Sequence, residues 1–180
     1  MSETLGEIYL QSVDKRFRIY KDLGDKTLLQ LKDGDFDFRP NAESNSAGII
    51  IQHISGNMIS RFTDLLTEDG EKPWRDRDAE FEESGYSRKQ YLELWEQGWA
   101  VLFGALHSLT PGDLTKTVFI RNEPLPVVDA INRQLAHYPH HIGQLVYIGK
   151  ILRNEGWKTL SIPKGLSVQF NREMTGNTKS

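Results

Sequence analysis

There is no cysteine among the 180 residues. That excludes disulfides, a thiolate nucleophile and thiolate metal ligands, so any sulfur chemistry has to come from a second molecule. Long apolar runs are missing too. The longest unbroken stretches, GIII and VLFGAL, fall far short of the ~20 residues that span a bilayer, so no membrane partner is expected. The opening MSETLGEIYLQ has no basic region ahead of an apolar block, which gives no reason to expect a secretion signal. Nor does one sign of charge dominate. Lys and Arg number 22 against 25 Asp and Glu, and a net charge of -3 does not favour nucleic acid as a partner. The expectation is a cytoplasmic protein of one domain, residues 1–180, long enough to bury a core of its own.

What is present is helical periodicity. Over roughly residues 2–22, Leu5, Ile8, Val13, Phe17 and Tyr20 recur at helical spacing; Gly24 reads as the stop, with DKTLLQL a candidate for a further short turn of helix. A second helix is expected over about 46–67, with Ser44, Asn45 and Ser46 as candidate caps and Ile50, Ile54, Met58 and Leu65 as its stripe. EDGEKPWRDRDAEFEESGYS then reads as a long, charged surface loop after helix two, with residues 68–83 simply solvated. A third helix begins near Ser87, turning Tyr91, Leu94, Trp95, Gly98, Leu102 and Leu109 inward, and stops near Pro111. The β-branched patch in LTKTVFIRNEPLPV predicts a short strand or hairpin before helix four, which runs from Pro126 or Val127 to about Arg153. The fold class is therefore all-α, a four-helix bundle with its core over about 2–153 and a tail, 154–180, whose last eight or so residues fray.

The chemistry gathers on helix four, in QLAHYPHHIGQL. At 100° per residue His137 and His141 lie about 40° apart, one turn from each other on one face, a spacing at which two imidazoles grip one metal ion. His140 points about 100° away from His141 and is not expected to join them. On helix two, His53 sits at the edge of the apolar stripe beside Asn57, Ser60 and Asp64. Two such edges facing one groove bring together three neutral imidazoles, the donor set of a catalytic zinc site with one coordination position left open. Asn57 and Gln144 are candidates to steady an imidazole. Asp64 and Glu68 are candidates for the rim, no general base stands out, and His107 has no assignable partner. Pro139, between the ligands, removes a donor to the Leu135 carbonyl. It is expected to bend the helix and free a carbonyl near the metal.

These residues resemble a known family. A histidine one turn into helix two, then HYPHHIGQL in helix four, is similar to the signature of the DinB-like (YfiT-like) four-helix-bundle metalloproteins. The Arg-Pro and Ser/Asn cluster in FRPNAESNSAGIIIQHISGNM resembles that family's lead-in to helix two. The resemblance implies that His53, His137 and His141 are the metal ligands. It also implies a divalent transition ion, zinc or nickel, as cofactor. Several such proteins are thiol transferases or isomerases that use bacillithiol, mycothiol or a related small thiol, and this chain looks closest to a branch of unknown function. The expected function is thus a divalent-metal-dependent transferase or hydrolase acting on a small molecule, with a low-molecular-weight thiol as candidate partner and a homodimer as the expected assembly. With no cysteine in the chain, its nucleophile would be an external thiolate or hydroxide. The alternative is a non-catalytic metal- or ligand-binding stress-response protein.

Overall fold

The computed structural model of the protein describes residues 2–176. It is mainly helical, 63% of residues, with five helices and one two-stranded hairpin. Helix α1 spans Leu5–Leu28, α2 Ala47–Phe62, α3 Arg88–Ser108, α4 Val127–Arg153 and α5 Ser167–Gly176; strands β1, Thr117–Ile120, and β2, Glu123–Pro126, precede α4. Caps set the starts. Thr4 and Glu7 form a capping box on α1, Ser46 accepts from the Ile49 N–H at the start of α2, and Ser87 with Gln90 closes another box on α3.

The expected boundaries shift where packing overrides local signals. Gly24 does not stop α1, which continues to Leu28. A Cβ at Gly24 would stand 2.4 Å from the ring of Trp95, so glycine there admits an indole from α3 rather than ending a helix. That indole donates to Asp25 Oδ1 at 2.6 Å. Helix α2 ends at Phe62 instead of about 67, because Asp64 turns the chain at φ 50°. Of the α1 residues at helical spacing, Leu5 and Ile8 are exposed, while Val13 and Phe17 are buried. The tail holds a further helix, α5; of the residues expected to fray, 177–180 lie outside the described residues.

Helix α2 packs chiefly on α3, and α1 on α4. Their buried faces meet in one cluster built on Phe17, Trp95, Trp99 and Tyr138, with Ile50, Ile54 and Met58 from α2 and Ile131, Ile142 and Leu145 from α4. The aromatic rings touch edge to face, Phe17 to Trp99 at 6.4 Å and Trp95 to Trp99 at 5.5 Å between centroids. Among the described residues no helix is long and apolar enough to cross a membrane.

The hairpin anchors the charged segment that follows α2. Arg121 and Asn122 both take positive φ, 57° and 59°, making a two-residue turn whose N–H groups donate to the Asp69 carboxylate. Gly70 N–H donates to the Phe119 carbonyl, and Ser60 of α2 donates to the Gly70 carbonyl. The segment expected to be merely solvated is therefore tied down at its root.

Pro139 does not break α4, which is one α-helix from Val127 to Arg153. It faces Tyr20, Leu23 and the Trp157 segment. The Leu135 carbonyl lies about 160° around the helix from His137, so the carbonyl freed by proline is on the side away from the histidines, contrary to expectation. Replacing Gly24 with Ala would press a methyl into the Trp95 ring. The expected loss is about 1–3 kcal/mol of unfolding free energy by urea titration.

Candidate metal centre

Helices α2 and α4 run past each other with their histidine-bearing edges in register, and the loop after α2 folds back over the same edge. His53 is 5% exposed; His137 and His141 are half-buried, and His140 is exposed. His137 Nε2 stands 3.2 Å from His53 Nε2 and 3.1 Å from His141 Nε2. One nitrogen from each of the three lies within 4.8 Å of the others, and no other group of three potential ligands converges in this way among the described residues. Nitrogens bound at ~2.0–2.1 Å to a tetrahedral zinc stand about 3.3–3.4 Å apart, close to the two separations from His137.

On His53 and His141 the partner of Nδ1 fixes the tautomer. Glu80 Oε2 lies 3.0 Å from His53 Nδ1, and a carboxylate only accepts, so Nδ1 carries the proton and Nε2 the lone pair. Gln144 Oε1 plays the same part for His141 Nδ1 at 3.0 Å, while the other end of its amide meets His140 Nε2 at 3.0 Å. Glu80 is itself gripped by Arg75, Nε to Oε1 at 2.7 Å and Nη2 to Oε2 at 2.8 Å. Burial works to raise the Glu80 pKa, but the hydrogen bonds from Arg75 and His53 outweigh it and hold the carboxyl ionised below its ordinary value. Gly56, three residues beyond His53, makes the approach possible, since a Cβ there would meet Glu80 Oε1 at 2.3 Å. Gln52 fastens the turn around Glu80 to α2 by donating to the Glu80 and Glu82 carbonyls.

Burial, reinforced by the neighbouring His141 and His53 and by Arg75, depresses the His137 pKa to about 3. Burial likewise depresses His141 to about 4, against the opposing hydrogen bond with Gln144. Both rings are neutral at pH 7, the form that binds metal.

The three histidines chosen from the sequence are thus brought together and His140 is left outside. Gln144 does steady His141; Asn57 instead accepts from the buried Tyr138 hydroxyl at 3.0 Å, holding the residue next to His137. Asp64 and Glu68 do not reach the cluster. Asp64 occupies a turn beside Leu65 and Leu66, and Glu68 pairs with Lys72 at 2.7 Å. His107 has partners after all, Asp14 at 3.1 Å and Arg18 at 3.2 Å, on the far side of α1. Sequence reasoning missed Glu80 and Arg75, although Gly56 one turn past His53 was a signal of close approach on that face.

Residues 4–166 match a family model described as a protein of unknown function, DUF1572. The chain belongs to this family. The matched span contains every side chain of the centre and stops just short of α5. No curated protein and no solved structure matches the chain.

The depressed histidines make a pH prediction for chelator-treated protein. Unfolded histidine has a pKa of about 6.5 and folded His137 and His141 lie far below it, so below pH ~6.5 the unfolded chain binds more protons. Stability should therefore be fully present above about pH 6.5 and decline as pH falls toward 4. Urea midpoints from pH 7.5 to 5 check this, and the decline should be shallower in His137→Ala. A flat profile in wild type would contradict the burial of these rings.

Proposed function

We propose that this protein is a divalent-metal-dependent enzyme with a four-helix-bundle architecture of the DinB-like kind, His53, His137 and His141 being its metal ligands. The single observation that supports this most is the convergence of three imidazole nitrogens, two of which have outer partners that leave their Nε2 lone pairs facing the third ring. Closed structural zinc sites use four protein ligands, and three leave a position for an exchangeable molecule. Zinc or nickel suits an all-imidazole set. When bound, such an ion acts as a Lewis acid and lowers the pKa of a water or thiol at its open position.

The chain's own groups do the rest. Glu80 and Gln144 orient two of the rings, and Arg75 keeps Glu80 ionised. The Phe81 ring, 4.7 Å from the His53 ring between centroids, shields that side from water. The absence of cysteine makes the nucleophile external, a thiolate or a hydroxide, and the resemblance to thiol-using DinB-like proteins is what favours a low-molecular-weight thiol as cosubstrate.

Metal analysis of untagged protein tests the reading. Wild type should carry one ion per chain. His53→Ala, His137→Ala and His141→Ala should each lose it, and His140→Ala should keep it. Glu80→Gln should weaken binding by about 10–100-fold, the usual effect of removing a ligand's hydrogen-bonding partner. In cobalt-substituted protein a small thiol should raise a sulfur-to-metal charge-transfer band that His137→Ala lacks. Equal metal loss from His140→Ala, or a cobalt spectrum that no thiol or small anion perturbs at millimolar concentration, would overturn it.

A further inference from the structure

A cavity of about 230 Å³ opens beside the histidines, with His53 and His137 on one wall. Five guanidinium groups line it, those of Arg61, Arg75, Arg77, Arg121 and Arg133, and no carboxylate does. They come from four different places, α2, the charged loop, the hairpin turn and α4. Such convergence of like charge opposes folding unless something else is served by it.

The carboxylates paired with these arginines lie behind them, outside the cavity lining. Glu71 is shared between Arg61 at 2.8 Å and Arg121 at 2.9 Å, and Glu80 is held by Arg75. Arg77 and Arg133 reach Asp78 and Glu123 only at 3.9 Å, in pairs open to solvent. With Asp69, whose carboxylate is close enough to Arg61 to interact with its charge, five positive groups stand among five negative ones, all of the negative ones outside the cavity lining, and a divalent ion at the histidines would add two positive charges.

Two residues of the cavity lining, Arg75 and Gln134, also each hold a buried polar atom without a partner. The Arg75 side chain is 2% exposed, yet its Nη1 makes no hydrogen bond; the nearest carboxylate oxygen, of Glu71, is 3.8 Å away. Gln134, 3% exposed, leaves its Oε1 unpaired. Buried donors and acceptors without partners are rare in folded proteins, and a cationic donor is the costlier kind. An unused guanidinium N–H asks for an oxyanion, and an unused amide oxygen asks for an O–H or N–H.

We propose that this cavity binds the oxyanion end, carboxylate or phosphate, of a small hydroxyl- or amide-bearing substrate, with Arg75 and the neighbouring arginines as its receptors. The substrate's reacting group then lies at the three histidines. The volume is below the 300–1,000 Å³ or so of drug-sized sites, so the substrate is small. This rests on the metal-centre reading for the position of the reacting group, but not for the binding of the anion.

The test compares two thiols on the cobalt-substituted protein, 2-mercaptoethanol, which is neutral, and mercaptosuccinate, which carries two carboxylates. Mercaptosuccinate should raise the charge-transfer band at a concentration about tenfold or more below that of 2-mercaptoethanol. Inorganic phosphate should compete with mercaptosuccinate. In Arg77→Gln/Arg133→Gln, whose replaced side chains are half-exposed and make no hydrogen-bonded ion pair, the two thiols should converge while cobalt content stays that of wild type. Equal response to both thiols in wild type would overturn the proposal. If the protein holds no metal, the metal-centre reading fails, and calorimetry of the metal-free protein with inorganic phosphate and with succinate still decides this one. Binding of either, weakened about tenfold in the double variant, supports it and identifies the preferred anion; no binding of either overturns it.

Discussion

Two imidazole lone pairs aimed at a third ring are the constraint on which the rest of this structure turns. Glu80 and Gln144 commit the Nδ1 protons of His53 and His141, so both Nε2 lone pairs face His137. A single N–H on His137 can satisfy one of them well, and bare lone pairs at this distance repel. Only a cation, or a proton shared among the rings, relieves all three at once. Burial disfavours a proton on His137 or His141, whose pKa values lie well below the ordinary one, and a cation held at this point is what the proposed metal site would supply.

Holding three rings against that repulsion requires a stiff frame. His137 is followed in α4 by Tyr138, whose ring is wedged between Phe17 and Trp99 and whose hydroxyl is fixed by Asn57 of α2. The same contact therefore sets the position of α2 against α4 and, through it, the separation of His53 from His137. Trp95 and Trp99 extend this aromatic wall to α3, and Gly24 lets α1 close over it. Dense packing of this kind is bistable rather than elastic, so the ligand spacing is inherited from the core.

How far this was legible in the sequence follows from which signals repeat. Helices α1 to α4 announce themselves by apolar spacing, and Thr4, Ser46 and Ser87 occupy positions where hydroxyls cap helices. The i, i+4 pair of His137 and His141 is a periodic signal as well, and the structure sets their Nε2 atoms 3.1 Å apart. Glu80 is not periodic. It is one of many acidic residues in a turn-rich stretch, and only the tertiary path of that stretch, pinned by Asp69 and Gly70 to the hairpin, brings this one to His53. Gly24 was misread for a physical reason: helix stops and close helix–helix contacts both favour a missing Cβ, and local sequence cannot separate them. Pro139 misled in a similar way. Its helix cost is real, but the face on which it falls is set by counting around the helix, and that face looks away from the three histidines toward Tyr20 and Trp157.

The buried ionic groups of the charged segment take their meaning from the same constraint. Taking a guanidinium and a carboxylate out of water costs about as much as their attraction returns, and an apolar pair in the place of Arg75 and Glu80 would serve stability as well or better. Stability alone therefore does not account for a pair whose side chains are 2% and 10% exposed. Orientation does. An ionised Glu80 is an acceptor that cannot donate, so it permits one tautomer of His53 and forbids the other. Arg75 enforces the ionised state while leaving one of its own N–H groups unspent at the cavity wall. One side chain thereby links the ring that faces the metal position to the lining of the cavity where an oxyanion would sit. The segment that composition marks as surface loop is, in the folded protein, the piece that joins the two.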